Sequence, residues 1–184
     1  MVHGGVYAGM DRYEGFAEFV AARQMALSRI AYLLTGDHHA AQDLMQSALV
    51  RLAGHWRRIA AGGDPEAYLR RIMVNERNTW WRRRPPEPVP AVPDSAGRDE
   101  ASDAASRASL AAALRMLPPR QRAVIVLRFY ADLTEAETAR AMGCSVGTVK
   151  SQAHVALARL RQLLPPPDSS DQADAWPTSY LEVQ

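Results

Sequence analysis

Thr134 and Glu137 stand three residues apart at the head of an apolar-periodic run, the S/T-x-x-E spacing of a capping box. Each side chain of such a pair satisfies an orphan backbone N–H of the first helical turn. Gly143 follows at the helix end, where a left-handed residue is needed. Ser145 then stands where it can cap a second helix, with Thr148, Lys150, Ser151, Gln152 and His154 near its start. A short helix, a glycine turn and a second helix with polar groups in its first turns is the geometry that enters a major groove. The stretch from Thr134 to Arg161 therefore reads as a DNA-binding helix-turn-helix.

The net charge of +2 conceals a division. Residues 1–84 carry a net +4 and residues 110–164 a net +5, while 85–109 sum to −3 and 165–184 to −4. Two basic blocks separated by an acidic stretch suggest two nucleic-acid-facing modules on a solvated tether. Between Pro85 and Pro93 five prolines remove donors and block helix continuation, so this segment should be extended.

The rest reads as helix. Phe16, Phe19, Val20, Ala26, Leu27, Ile30, Ala31 and Leu34 recur at helical spacing up to Gly36. Asp37 caps a second helix with Ala41, Leu44, Met45, Ala48, Leu49 and Leu52 as its apolar stripe, and a break is expected over His55–Gly63. Asp64-Pro65-Glu66 opens a third helix running to about Arg84. Further helices are expected near Asp103–Met116, from Pro118-Pro119, and in the helix-turn-helix. The fold class is all-α: two small helical domains joined by a flexible linker. The expected division is a flexible 1–13, a first domain over 14–84, a linker over 85–104, a second domain over 105–164 and a flexible tail over 165–184.

The third helix is the second nucleic-acid candidate. Arg71, Asn75, Asn78 and Arg82 share a face, with Leu69, Ile72, Met73 and Trp80 on another. Asn reads adenine edges and Arg holds phosphate or guanine; a solvated charged face is the alternative. Before it, Trp56 and Arg58 lie in the expected loop, where a base taken out of the stack could be held. Asp43 and Gln46, three apart, lie opposite an apolar stripe and on pattern alone are surface residues. No ligand-spaced His/Cys/Glu cluster, phosphate loop or nucleophile elbow occurs, so neither catalysis nor a metal or other cofactor is expected. The single Cys144 excludes an internal disulfide. No apolar run approaches the ~20 residues of a membrane span, and no secretion signal is read at the N-terminus.

Taken together, residues 14–164 resemble an extracytoplasmic-function (group IV) sigma factor of the sigma-70 family, of the actinobacterial SigE-like type. AQDLMQSALVRLAGHW is similar to the polymerase-binding part of region 2. DPEAYLRRIMVNERNTWWRRR is similar to the −10-reading helix of region 2. ALRMLPPRQRAVIVLRFYADLTEAETARAMGCSVGTVKSQAHVALARLR is similar to region 4 with its −35 helix-turn-helix. The resemblance implies a cytoplasmic, nucleoid-associated factor. It would bind core RNA polymerase through the β′ clamp helices and β flap, recognise −35 and −10 promoter DNA, and help melt the duplex. An anti-sigma protein is a further partner of such factors. It assigns Asp43 and Gln46 to the clamp helices. Arg71, Asn75, Asn78 and Arg82 go to the −10 element, Trp56 and Arg58 to base capture, and Thr148, Lys150, Ser151, Gln152 and His154 to the −35 element. The chain departs from the pattern at Gln152 and Val155, where many relatives carry Arg. A free-standing helix-turn-helix regulator would leave residues 14–84 idle, and a protein-only adaptor would bind no DNA.

Overall fold

A computed structural model describes residues 11–83 and 108–164, with side chains absent from that description at Asp11 and from 78 to 83. The expected linker, the tail and most of the N-terminal segment lie outside the described residues. A 3-10 turn at Asp11–Tyr13 precedes α1 (Phe16–Thr35), α2 (His38–Gly62) and α3 (Pro65–Arg83). The second lobe begins with α4 over 108–116, then α5 (Pro119–Ile125), α6 (Glu135–Met142) and α7 (Val146–Leu163). Among the described residues there is no strand.

Local chemistry accounts for most helix ends. Gly36, at φ 76°, ends α1 in the left-handed conformation that a Cβ disfavours. Asp37 then accepts a bond from the Ala40 N–H at 2.8 Å and starts α2. Asp64 accepts from the N–H groups of Glu66 and Ala67 at 2.9 and 3.0 Å, while Pro65 opens α3. α5 passes into a π-helical turn, Val126–Tyr130, and the chain leaves it through Asp132 at φ 50°.

The expected break over His55–Gly63 does not occur. α2 runs unbroken to Gly62 because Leu52, Trp56 and Ile59 carry its apolar stripe on at spacings of four and three. Lone glycines such as Gly54 cost a helix only about 1 kcal/mol each, which this packing offsets. Trp56 is accordingly a core residue. Its ring lies edge-on to Phe16 at 5.2 Å and against Phe19 at 5.4 Å. Its indole N–H donates to the Glu14 carbonyl at 2.6 Å.

Leu27, Leu34, Leu44, Leu52, Leu69 and Met73 fill the core of the first lobe. That core continues into Leu110, Leu114, Leu117 and Leu127 of the second, so the two lobes are packed against each other. A smaller cluster of Val124, Ala139 and Val149, with Cys144 against it, fixes the helix-turn-helix.

Candidate nucleic-acid interface

The helix-turn-helix is built from the caps its sequence announces. The Thr134 N–H and hydroxyl donate to the Glu137 carboxylate at 2.8 and 2.6 Å, and the Glu137 N–H donates back to the hydroxyl at 3.2 Å. These hydrogen bonds, the hydroxyl's first, hold the Glu137 carboxyl below its ordinary range. Gly143 closes α6 at φ 62°, and Ser145 accepts the Thr148 N–H at 3.1 Å to open α7.

On α7, Val149, Ala156 and Leu160 face inward. Lys150 and His154, one turn apart, are exposed, as are Ser151 and Val155; Gln152 is half-buried. Two candidates have local partners: the Thr148 hydroxyl is bonded to that of Ser145 at 2.9 Å, and the Ser151 hydroxyl donates to the Thr148 carbonyl at 3.0 Å. Lys150 lies 3.5 Å from Glu135 of α6, an exposed pair of the kind worth about 0–1 kcal/mol and easily exchanged for a phosphate.

On α3, Arg71 and Asn75 are exposed one turn apart, while Asn78 and Arg82 have described backbone only. The other arginines of this helix are less free. Arg70 pairs with Glu66 at 2.7 Å, and Arg77 is buried with its Nε donating to the Leu34 carbonyl at 2.9 Å. Burial lowers the Arg77 pKa. Buried Glu76 is paired with Arg51 of α2 at 2.7 Å.

Arg58 is exposed at the end of α2, beside a shallow depression shared with Arg12, His55 and Arg57. Trp56 borders the same depression, but it is buried against Phe16 and Phe19 and its N–H is already donated to Glu14, so it presents little surface on which a base could stack. Asp43 and Gln46 are exposed one turn apart on α2, opposite Leu44, Met45 and Ala48. Val50 continues that face and is 67% exposed; sequence reading missed it, although its place four residues after Gln46 was visible.

A second feature escaped the sequence. At the carbonyl end of α1, Arg122 donates to Leu34 and Thr35 at 3.0 and 3.3 Å, and Arg115 to Gly36 at 3.3 Å. Arg122 is 2% exposed and also holds the Arg115 and Leu117 carbonyls at 2.7 and 3.3 Å. Burial first, then Arg77 and Arg115, lower its pKa to about 9, so it keeps its proton at neutral pH. Among the described residues no group of His, Cys, Asp and Glu could hold a metal, and no helix is long and apolar enough to cross a membrane.

Exposed polar and cationic side chains on a helix of each lobe, one of them the second helix of a helix-turn-helix, are the arrangement of a DNA-binding protein. Comparison with known proteins narrows this. Residues 19–85 match the family model Sigma-70 region 2, and residues 107–160 match Sigma-70, region 4. The RNA polymerase sigma-E factor of Streptomyces avermitilis is 49% identical over 81% of this chain and 84% of its own. The ECF RNA polymerase sigma factor SigL of Mycobacterium tuberculosis is 32% identical over 84% of this chain and 96% of its own. The sigma factor RpoE of Bartonella quintana, solved with the anti-sigma factor NepR, superposes with a TM-score of 0.66 at 26% identity, over 80% of this chain and 95% of that one. The chain belongs to the sigma-70 family, in its extracytoplasmic-function group, and is of the actinobacterial SigE-like kind. Its function is that of an RNA polymerase sigma factor in promoter recognition and transcription initiation.

Proposed function

We propose a division of labour among the exposed residues. α7 meets the −35 element through Lys150, Ser151, Gln152 and His154, with Thr148 at its start; α3 meets the −10 element through Arg71 and Asn75, continued by Asn78 and Arg82. Arg58, at the junction of α2 and α3, contributes to holding an unstacked base. Asp43 and Gln46 engage the β′ clamp helices, and the second lobe engages the β flap. The factor works without catalysis of its own, beside polymerase in the cytoplasm and on the nucleoid, and an anti-sigma protein restrains it. The observation that carries this reading is the exposure of Arg71 and Asn75 on α3 and of Lys150, Ser151 and His154 on α7, with apolar residues behind each.

Lys150→Ala should lower promoter occupancy and flatten the dependence of log affinity on log salt by about one unit. Titrating holoenzyme binding across a salt series checks this, and an unaltered slope would argue against a phosphate contact. Asp43→Ala and Gln46→Ala should each weaken association with core polymerase while leaving both lobes folded. Holoenzyme affinity unchanged in both variants, with circular dichroism intact, would remove that assignment.

A further inference from the structure

The exposed arc of α7 is chemically divided. Lys150 and His154 make up one flank, and Gly147, Ser151, Val155 and Ala158 the other; all six are exposed. Their spacings of three and four put them on one surface of the helix. Val149, Ala156 and Leu160, each 0% exposed, bury the opposite side and fix the rotation of the helix, so Val155 cannot turn inward. Polar groups near the uncharged flank are already engaged. The Ser151 hydroxyl proton goes to the Thr148 carbonyl at 3.0 Å, and Arg159, one turn after Val155, donates to the Gln121 side chain at 2.9 Å.

Val155 is 41% exposed and is the largest apolar side chain of that flank. Single exposed valines are ordinary on protein surfaces; the place of this one, on the second helix of a helix-turn-helix, sets it apart. Valine has no hydrogen-bonding atom. Its β-branch holds χ1 near one rotamer in a helix, so little freedom is lost when the side chain is pressed into a groove. In the major groove the apolar group on a base edge is the thymine C5 methyl, whereas guanine offers N7 and O6 and cytosine its N4 amino group. A valine laid over O6 or N4 strips water from that atom and returns no hydrogen bond. Laid over a thymine methyl, it buries carbon against carbon. One side chain thus attracts one base and rejects others.

We propose that Val155 is a specificity-determining residue of this factor, reading the C5 methyl of one thymine in its −35 element. Lys150 and His154, on the neighbouring flank, hold the register in which that methyl is met. This rests on the reading of α7 as the helix that enters the −35 element, and adds to it a preference for A·T at one position that the polar side chains do not supply. Burying one methyl is worth about 0.8 kcal/mol, or about fourfold in affinity.

Deoxyuridine in place of thymidine removes the C5 methyl and leaves base pairing intact. Holoenzyme affinity is measured on duplex promoters carrying the −35 sequence that supports most initiation, with each thymine of that element replaced singly, on either strand. One replacement should weaken binding of the native factor about fourfold. With Val155→Ala, whose fold circular dichroism verifies, that template and its thymine parent should bind equally, and the parent should bind about fourfold more weakly than it does to the native factor. Absence of any sensitive thymine overturns the proposal, and so does a sensitivity that survives in Val155→Ala. Scrambling the whole −35 element separates the two levels. If scrambling weakens binding while no methyl matters, the assignment of Val155 alone is wrong; if scrambling changes nothing, the reading of α7 falls with it.

Discussion

Trp56→Ala should destabilise the first lobe by about 3–5 kcal/mol, the loss typical of deleting a buried aromatic ring. The ring is 6% exposed, braced by Phe16 and Phe19, and ties the C-terminal half of α2 to the Glu14 carbonyl ahead of α1. Trp56→Phe keeps most of the packing and loses the hydrogen bond, a loss of about 0.5–1.5 kcal/mol for the bond itself. Urea unfolding of the two variants beside the native chain gives both numbers. A ring serving only to stack on a displaced base would behave differently: its removal would impair melting and leave stability within about 0.5 kcal/mol of native. That result would return Trp56 to the DNA-contacting set.

Replacing Arg71 and Asn75 together by Ala should remove most discrimination at the −10 element. A good bidentate base contact is worth about 1–3 kcal/mol, so each lost contact should reduce the preference for an intact over a scrambled −10 sequence by about tenfold or more. Both side chains are exposed one turn apart on α3, with Ile72, Met73 and Val74 holding the helix from behind. The fold should therefore survive. Open-complex formation on paired templates, read by permanganate footprinting of the melted region, makes the comparison. Binding to the −35 element, measured on a duplex carrying it alone, should be unchanged. Retention of full −10 discrimination by the double variant would move recognition away from this face.

How much of this was legible beforehand depended on whether the physics was local. The capping box at Thr134 and Glu137, the glycine at 143 and the cap at Ser145 act within a few residues, and each is realised as the spacing announces. The start of α3 at Asp64-Pro65 is equally local. The sequence suggests a shorter α2 because His55, Arg57, Arg58 and the Gly62-Gly63 pair look like a loop. The i, i+4, i+7 relation of Leu52, Trp56 and Ile59 was the stronger signal, since it lies on the face that α1 and α3 bury. For Arg77, Arg115 and Arg122, sequence carries no comparable cue. Their partners are carbonyls at the end of α1, 43 to 88 residues away, and a carbonyl has no side-chain identity to read. Nor does an expected tether between two modules indicate that the modules pack together, because that contact depends on shape and burial rather than on spacing.

The most direct measurement is run-off transcription with purified core polymerase over a library of templates carrying varied −35 and −10 sequences. Addition of this protein should produce discrete transcripts from templates sharing one pair of motifs, and scrambling either motif should abolish them. If the reconstituted mixture starts no transcript from any template, or starts equally from all, then two-point promoter recognition by this chain is wrong.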